Sequence, residues 1–158
     1  MHRPERKKIR LEGFNYSSEA LYFITTNVKN HRHDLGKVVN GGMILNEYGQ
    51  IVQEQWEWLF NQYTFIQSHA FVVMPNHVHG VIEIKKLESQ DIKTKPLPQL
   101  IGAFKTTSSK RIHLAGLADF QWHKSYHDHI IRDHASYLRI VDYIEKNPAK
   151  WHEDRFHK

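Results

Sequence analysis

The chain has 158 residues and not one cysteine. That absence excludes disulfides and every thiolate metal site, so a bound metal must be held by His, Asp, Glu, Asn or Gln. There is no apolar run near the ~20 residues that a membrane span requires, and the basic first ten residues lack the apolar centre of a signal peptide. The expected compartment is therefore the cytoplasm, with no membrane partner. There is no internal repeat and no low-complexity segment. Aromatics are plentiful, with four Trp, eight Phe and seven Tyr, and 40% of the chain is hydrophobic. Such a composition argues against disorder and fits one packed domain over residues 1–158.

Charge is the next constraint. The formal net charge is +5 and the sequence pI is about 9.4. A basic balance favours polyanionic partners, nucleic acid foremost, although a mildly basic protein without such a partner has the same composition. Arg3, Arg6, Lys7, Lys8 and Arg10 make residues 1–12 a basic arm suited to a phosphate backbone or to solvent. Lys105, Lys110 and Arg111 lie together on one later segment, and Lys124 follows in an aromatic stretch. These nine cations are the candidate DNA-contacting residues.

Periodicity supplies the elements. Residues 21–28 (LYFITTNV) are β-branched and aromatic and predict a strand. Residues 37–45 predict a hairpin turning at Asn40-Gly41-Gly42. Residues 46–63 predict a helix capped by Asn46, with Ile51, Val52, Gln55, Trp56, Leu59 and Phe60 at helical spacing. Two β-like runs, 64–74 and 77–84, are separated by Pro75-Asn76. Residues 85–96 are charged and polar, an expected exposed linker. A helix over 97–113 is expected to bury Leu100, Ile101, Phe104 and Ile112. Residues 116–131 predict a loop and a hairpin, and 134–146 a helix stopped by Asn147-Pro148. This order predicts an α+β sandwich with a largely antiparallel central sheet and flanking helices.

Thirteen histidines form three His-x-His pairs: His31/His33, His77/His79 and His127/His129. About one such pair is expected by chance at this composition, so spacing alone decides nothing. Context separates them. The first pair lies in a polar segment, where exposure is explanation enough. The third follows Tyr126 in an aromatic stretch, at the surface or behind a site. In the middle pair, Val78 points to the opposite strand face and both imidazoles project to one side. Apolar runs flank it, so both rings sit on a rigid element where they can share one metal ion. On the last helix, Tyr143 and Asn147 are four apart and share a face at the edge of an apolar arc. Taken alone they read first as a core-edge aromatic with a helix cap, and only second as a nucleophile beside an oxygen ligand.

Together these stretches resemble a known family. FVVMPNHVHGVIEI, YHDHIIRD and YIEKNPAKWHED, with LYFITTNVKNHRH and GKVVNGGMILNEYGQIVQEQW before them, are similar to the HUH single-tyrosine transposases. Within that family the REP-associated and insertion-sequence transposases are most similar, and the resemblance runs nearly end to end. It implies a ferredoxin- or RRM-like α+β sandwich. It implies that His77 and His79 bind a divalent metal, Mg2+ or Mn2+, with Asn147 completing the site and Tyr143 as nucleophile. Single-stranded or hairpin DNA would be cut and rejoined through a 5′-phosphotyrosine link. His129 is implied as an active-site neighbour, and a homodimer as a partner. Tyr126 is a rival nucleophile. The sequence departs from the family at Trp122-His123-Lys124, where Trp-Gln-Arg is usual. Two other readings stay open here: an RRM-like nucleic-acid binder without catalysis, and a His-rich metal binder without DNA.

Overall fold

The computed structural model describes residues 20–85 and 94–153. The basic arm with Arg3, Arg6, Lys7, Lys8 and Arg10 lies outside the described residues, as does most of the 85–96 linker. Of that linker, Thr94, Lys95 and Pro96 are exposed and Lys85 is half-buried. The elements in order are β1 (Ala20–Asn27), β2 (Gly36–Val39), β3 (Gly42–Leu45), α1 (Glu47–Gln62), β4 (Ile66–Met74), β5 (His77–Ile84), α2 (Leu97–Leu114), β6 (His127–Ile130) and α3 (His134–Glu145). Single 3-10 turns lie at Lys29–His31 and Pro148–Glu153.

The main sheet has the order β4-β5-β1-β6, with every neighbouring pair antiparallel. Setting aside the separate β2–β3 ribbon, the chain runs β1-α1-β4-β5-α2-β6. This is the β-α-β-β-α-β order of the ferredoxin-like fold, here with a further helix at its end.

The sheet's period of two divides the core. Ile24, Val78 and Ile82 point toward α1 and α2, where they meet Val52, Trp56, Leu100, Ile101 and Phe104. Leu21 and Val81 point the other way, onto Tyr137, Val141 and Ile144 of α3. β5 is therefore buried on both faces, which is why HVHGVIEI lacks a solvent-facing alternation. Gly80 is part of this arrangement: a Cβ there would lie 2.7 Å from the Trp56 ring. Trp56 lies stacked on Phe71, with ring centroids 4.2 Å apart. The helix over α1 begins as its sequence requires. Asn46 caps it, its side-chain oxygen accepting from the backbone N–H of Tyr48 and of Gly49 at 2.9 Å each.

Two differences from expectation are instructive. The β2–β3 turn uses only Asn40 and Gly41, at φ 52° and 76°, and Gly42 already belongs to β3. Positive φ at both central residues is the two-residue hairpin geometry that matches strand twist. The hairpin expected within 116–131 does not form. Phe120 and Trp122 are buried and anchor a loop, which meets the segment after β1 through the Val28–Trp122 bridge and the Arg32–Asp119 ion pair. The one strand that follows, β6, pairs with β1 instead. β1 offered an open edge, and a four-residue strand without buried side chains gains more from that ladder than from a local partner.

Candidate active site

The α3 face of β5 carries His77 and His79, and both rings are almost wholly buried, at 0% and 2% exposure. The tight Pro75-Asn76 turn positions them. Met74 and His77 are paired across it, so β5 starts at His77 itself. Asn76 also turns its side chain back: its Oδ1 accepts from His77 Nδ1 at 2.8 Å. That leaves His77 Nε2 with its lone pair directed at His79 Nε2, 3.2 Å away. On the adjacent strand Thr25 is the Cα partner of His79, and its Oγ1 is 2.8 Å from His79 Nδ1. Partners of this kind on the outer nitrogen fix ring orientation and direct Nε2 to a ligand position.

Electrostatics agree with that use. Burial, first, and the neighbouring His31 push the His77 pKa down from 6.5 to about 3, against a smaller upward contribution from Asn147. His77 is therefore neutral at physiological pH, the form that binds metals. The sign of the stability effect follows. The unfolded chain takes up a proton at His77 below about pH 6.5, whereas the folded chain resists until about pH 3. Folded stability should therefore fall across that window, by at most about 1.4 kcal/mol per pH unit from this one group. Urea unfolding of the metal-free protein at pH 7, 5.5 and 4.5 should give this trend, and His77→Gln should flatten it.

Asn147 lies just past the cap of α3, at 3% exposure. Its Oδ1 is buried and has no hydrogen-bond donor of good geometry, although its side chain lies against His77. A buried carbonyl oxygen in that state calls for a cation or an unseen donor. No group of three or more His, Asp or Glu among the described residues is arranged for metal. Two imidazoles and one amide oxygen are thus the donor set that this site offers. Two nitrogens each ~2.1 Å from one ion lie ~3.0 Å apart at an octahedral angle and ~3.4 Å apart at a tetrahedral one, a range that includes the Nε2 separation of 3.2 Å. The residues fit a divalent ion.

Tyr143 projects from α3 over this pair and is 44% exposed. Its ring centroid is 5.3 Å from that of His79, with an edge-on approach, and 6.2 Å from Phe23. Together with His79, Thr25 and Asn147 it lines an open cleft of about 660 Å³, whose walls include Arg139, Lys150 and Glu153. The structure brings together His77 and His79, from the middle of the sequence, with Tyr143 and Asn147 near its end.

Other expected residues are placed differently. His129 pairs with Phe23 on β6 and is exposed, but it is His127, opposite Thr25, that lines the cleft. Tyr126 is half-buried against the α1–α2 core, and burial, then Asp128, raises its pKa. It is on the wrong side of the sheet to reach the histidines. Lys105 is committed internally: its Nζ donates to the carbonyl of His123 at 2.6 Å, and burial lowers its pKa. Arg111 is ion-paired with Glu54 at 3.2 Å. Lys110 and Lys124 are exposed and line a second groove, of about 650 Å³, beside α2.

Several site residues had no sequence signal. Trp151 is buried in the final turn and stacks on His77 with centroids 6.2 Å apart. His31, dismissed by its polar surroundings, is near enough to His77 to affect its proton affinity. Arg139 was legible in principle, because it lies one turn before Tyr143 on the same face.

Comparison with known proteins gives the following. No protein-family model matches the chain. An uncharacterised protein of Haemophilus influenzae is 35% identical over 172 aligned positions, covering 96% of this chain and 93% of that one. Among solved structures, a REP-associated tyrosine transposase bound to a REP hairpin superposes with a TM-score of 0.62 at 22% identity, over 83% of this chain and 67% of that chain. A protein of Deinococcus radiodurans, provisionally assigned as a transposase, superposes with a TM-score of 0.54 at 19% identity, over 85% and 95%.

Proposed function

We propose that this chain, which belongs to one family with the Haemophilus influenzae protein and has the fold of the HUH tyrosine transposases, is itself a transposase that cuts and rejoins single-stranded DNA through Tyr143. The observation that carries the reading is the meeting of Tyr143 with His79 in one open cleft, with ring centroids 5.3 Å apart and the buried His77 ring 3.2 Å away from His79, Nε2 to Nε2. The exposed phenol is accessible to a DNA phosphate, while the two imidazoles are held rigidly behind it.

His77, His79 and Asn147 would hold a divalent ion, Mg2+ or Mn2+, which when bound polarises the scissile phosphate. The remaining work falls to the protein. Arg139 and Lys150, on the cleft wall, attract the phosphodiester and offset its charge. The Tyr143 oxygen then bonds to phosphorus as the bond from phosphorus to the 3′ oxygen breaks. The phenolic proton passes into the cleft, where the His127 imidazole is one acceptor, and the departing 3′ oxygen gains a proton. The products are a 5′-phosphotyrosine and a free 3′-OH. The reverse attack by another 3′-OH rejoins strands without external energy, because the phosphodiester energy is kept in the link.

A hairpin beside the cut site is the expected substrate, by analogy with the REP-hairpin-bound transposase. Lys110, Lys124 and the basic arm are the proposed backbone contacts, with His129 as a neighbour of the cleft and a second copy of the chain as a partner. The reaction would take place in the cytoplasm, where the DNA of such an element resides. The rival of an RRM-like binder is disfavoured by one feature. The sheet face on which RRM modules stack bases is covered here by Tyr137, Val141 and Ile144 of α3. The test is incubation with hairpin-bearing single-stranded oligonucleotides. A DNA adduct stable to denaturing electrophoresis should form with Mn2+ or Mg2+ and vanish with chelator. Salt-dependent binding with no adduct under any metal would overturn the reading.

A further inference from the structure

Behind the cleft lies a second polar cluster with no part in the chemistry above. β4 carries a bulge between Ser68 and Ala70, where its register against β5 shifts. The extra residue is His69, and the bulge sends its side chain, 1% exposed, to the α3 face. There His69 Nε2 is 2.8 Å from Glu83 Oε1 on β5. Its Nδ1 is 3.1 Å from the hydroxyl of Tyr137 on α3, which is wholly buried. The Tyr137 ring meets His69 edge-on and stacks with His134 on its other side.

A buried carboxylate, imidazole and phenol are a costly set for stability alone, because apolar residues of similar volume would fill the space without the desolvation penalty. What such a set supplies is directional. The other buried α3 side chains on the sheet, Val141 and Ile144, are aliphatic, Tyr143 adds only edge-on ring contacts, and such packing tolerates small rotations and slides of a helix. A hydroxyl held in line with one imidazole nitrogen does not.

Two rigid elements make this matter. β5 carries the histidine pair at one end and Glu83 four residues on, ~13 Å along a strand. α3 carries Tyr143 at one end and Tyr137 six residues before it, ~9 Å along a helix. The strand and helix are thus tied at one point and must meet at another. We propose that Glu83, His69 and Tyr137 form a pin that sets the rotation and height of α3 on the sheet, and so places the Tyr143 phenol over His77 and His79. His69 and Tyr137 are positioning residues, and touch neither DNA nor metal. The inference rests on the role of Tyr143 given above.

The test uses the full chain with Mn2+. Tyr143 is replaced by 3-fluorotyrosine, and its fluorine resonance is followed as Mn2+ is added, because the paramagnetic ion broadens nearby nuclei steeply with distance. The unaltered pin should give strong broadening. Tyr137→Phe, which removes a single oxygen, and His69→Gln should reduce that broadening and slow adduct formation at saturating DNA and metal by at least about tenfold, as expected for a misplaced reacting group. Mn2+ and DNA affinities should stay within about twofold, since β5 keeps its ligands. Asp133→Ala removes the α3 N-cap and serves as the control. It should lower the melting temperature while leaving broadening and rate near the parent values. Equal broadening and equal rate in Tyr137→Phe, His69→Gln and parent would overturn the pin. An unsubstituted protein with neither broadening nor adduct would instead overturn the transposase reading, and the pin's purpose with it.

Discussion

Tyr143→Phe is expected to abolish the covalent protein–DNA adduct and strand cleavage, by about a thousandfold or more, while DNA binding stays near the parent level. The substitution removes one hydroxyl from a residue that is 44% exposed. Its ring still packs against Phe23 and His79, so the fold has little to lose. The aromatic alternative is poorly placed. Tyr126 lies against the α1–α2 core, with its pKa raised by burial, which disfavours the phenolate that attack requires. A gel assay with labelled hairpin oligonucleotide and a parallel filter-binding titration separate the two effects. An adduct that persists in Tyr143→Phe would assign the nucleophile elsewhere.

The second large effect is at the metal pair. His79→Ala should weaken Mn2+ binding by at least ~100-fold, because even partners one shell further out commonly contribute ~10–100-fold. Adduct formation should fall in step and recover only partly at high metal. As a proposed ligand His79 has few substitutes: Thr25 orients it from the neighbouring strand, and no other imidazole or carboxylate among the described residues completes a three-group cluster there. His33→Ala is the natural control. It removes a member of an equally spaced pair whose ring meets Trp151 rather than His79. Isothermal titration with Mn2+ measures both. Equal losses in the two variants would favour diffuse histidine binding over a defined site.

How far the fold was legible depended on whether the deciding interactions were local. α1, α2 and α3 follow from spacing and from their stop and start residues: Asn46, Pro96, and Asn147 before Pro148. Strand β5 begins at His77 because a tight turn precedes it, and that turn was marked by Pro75-Asn76. β6 was not legible in the same way. Its partner is β1, about a hundred residues earlier in the chain, and nothing within 116–131 specifies that choice. The β4 bulge at His69 is likewise a matter of pairing with β5, and a single extra residue leaves no mark in composition.

The candidate site divides along the same line. His77, His79, Tyr143 and Asn147 were nameable because each pair is close in sequence and periodicity puts its members on one face. That the two pairs meet is a tertiary fact, implied by family resemblance and made geometric by α3 packing on β5. Thr25, His127 and Trp151 join the site from separate elements, and no local pattern selects them. Among the cations, Lys105 donates to loop carbonyls and the exposed Arg111 is ion-paired with Glu54, tertiary partners that charge alone does not disclose.

The most direct test of the central claim is to identify the residue that carries DNA. The adduct formed with Mn2+ and a hairpin oligonucleotide is digested with nuclease and protease, and the nucleotide-bearing peptide is sequenced by mass spectrometry. The account predicts a 5′-phosphoryl nucleotide on Tyr143. A nucleotide on Tyr126, on any other residue, or linked through its 3′ phosphate would contradict it.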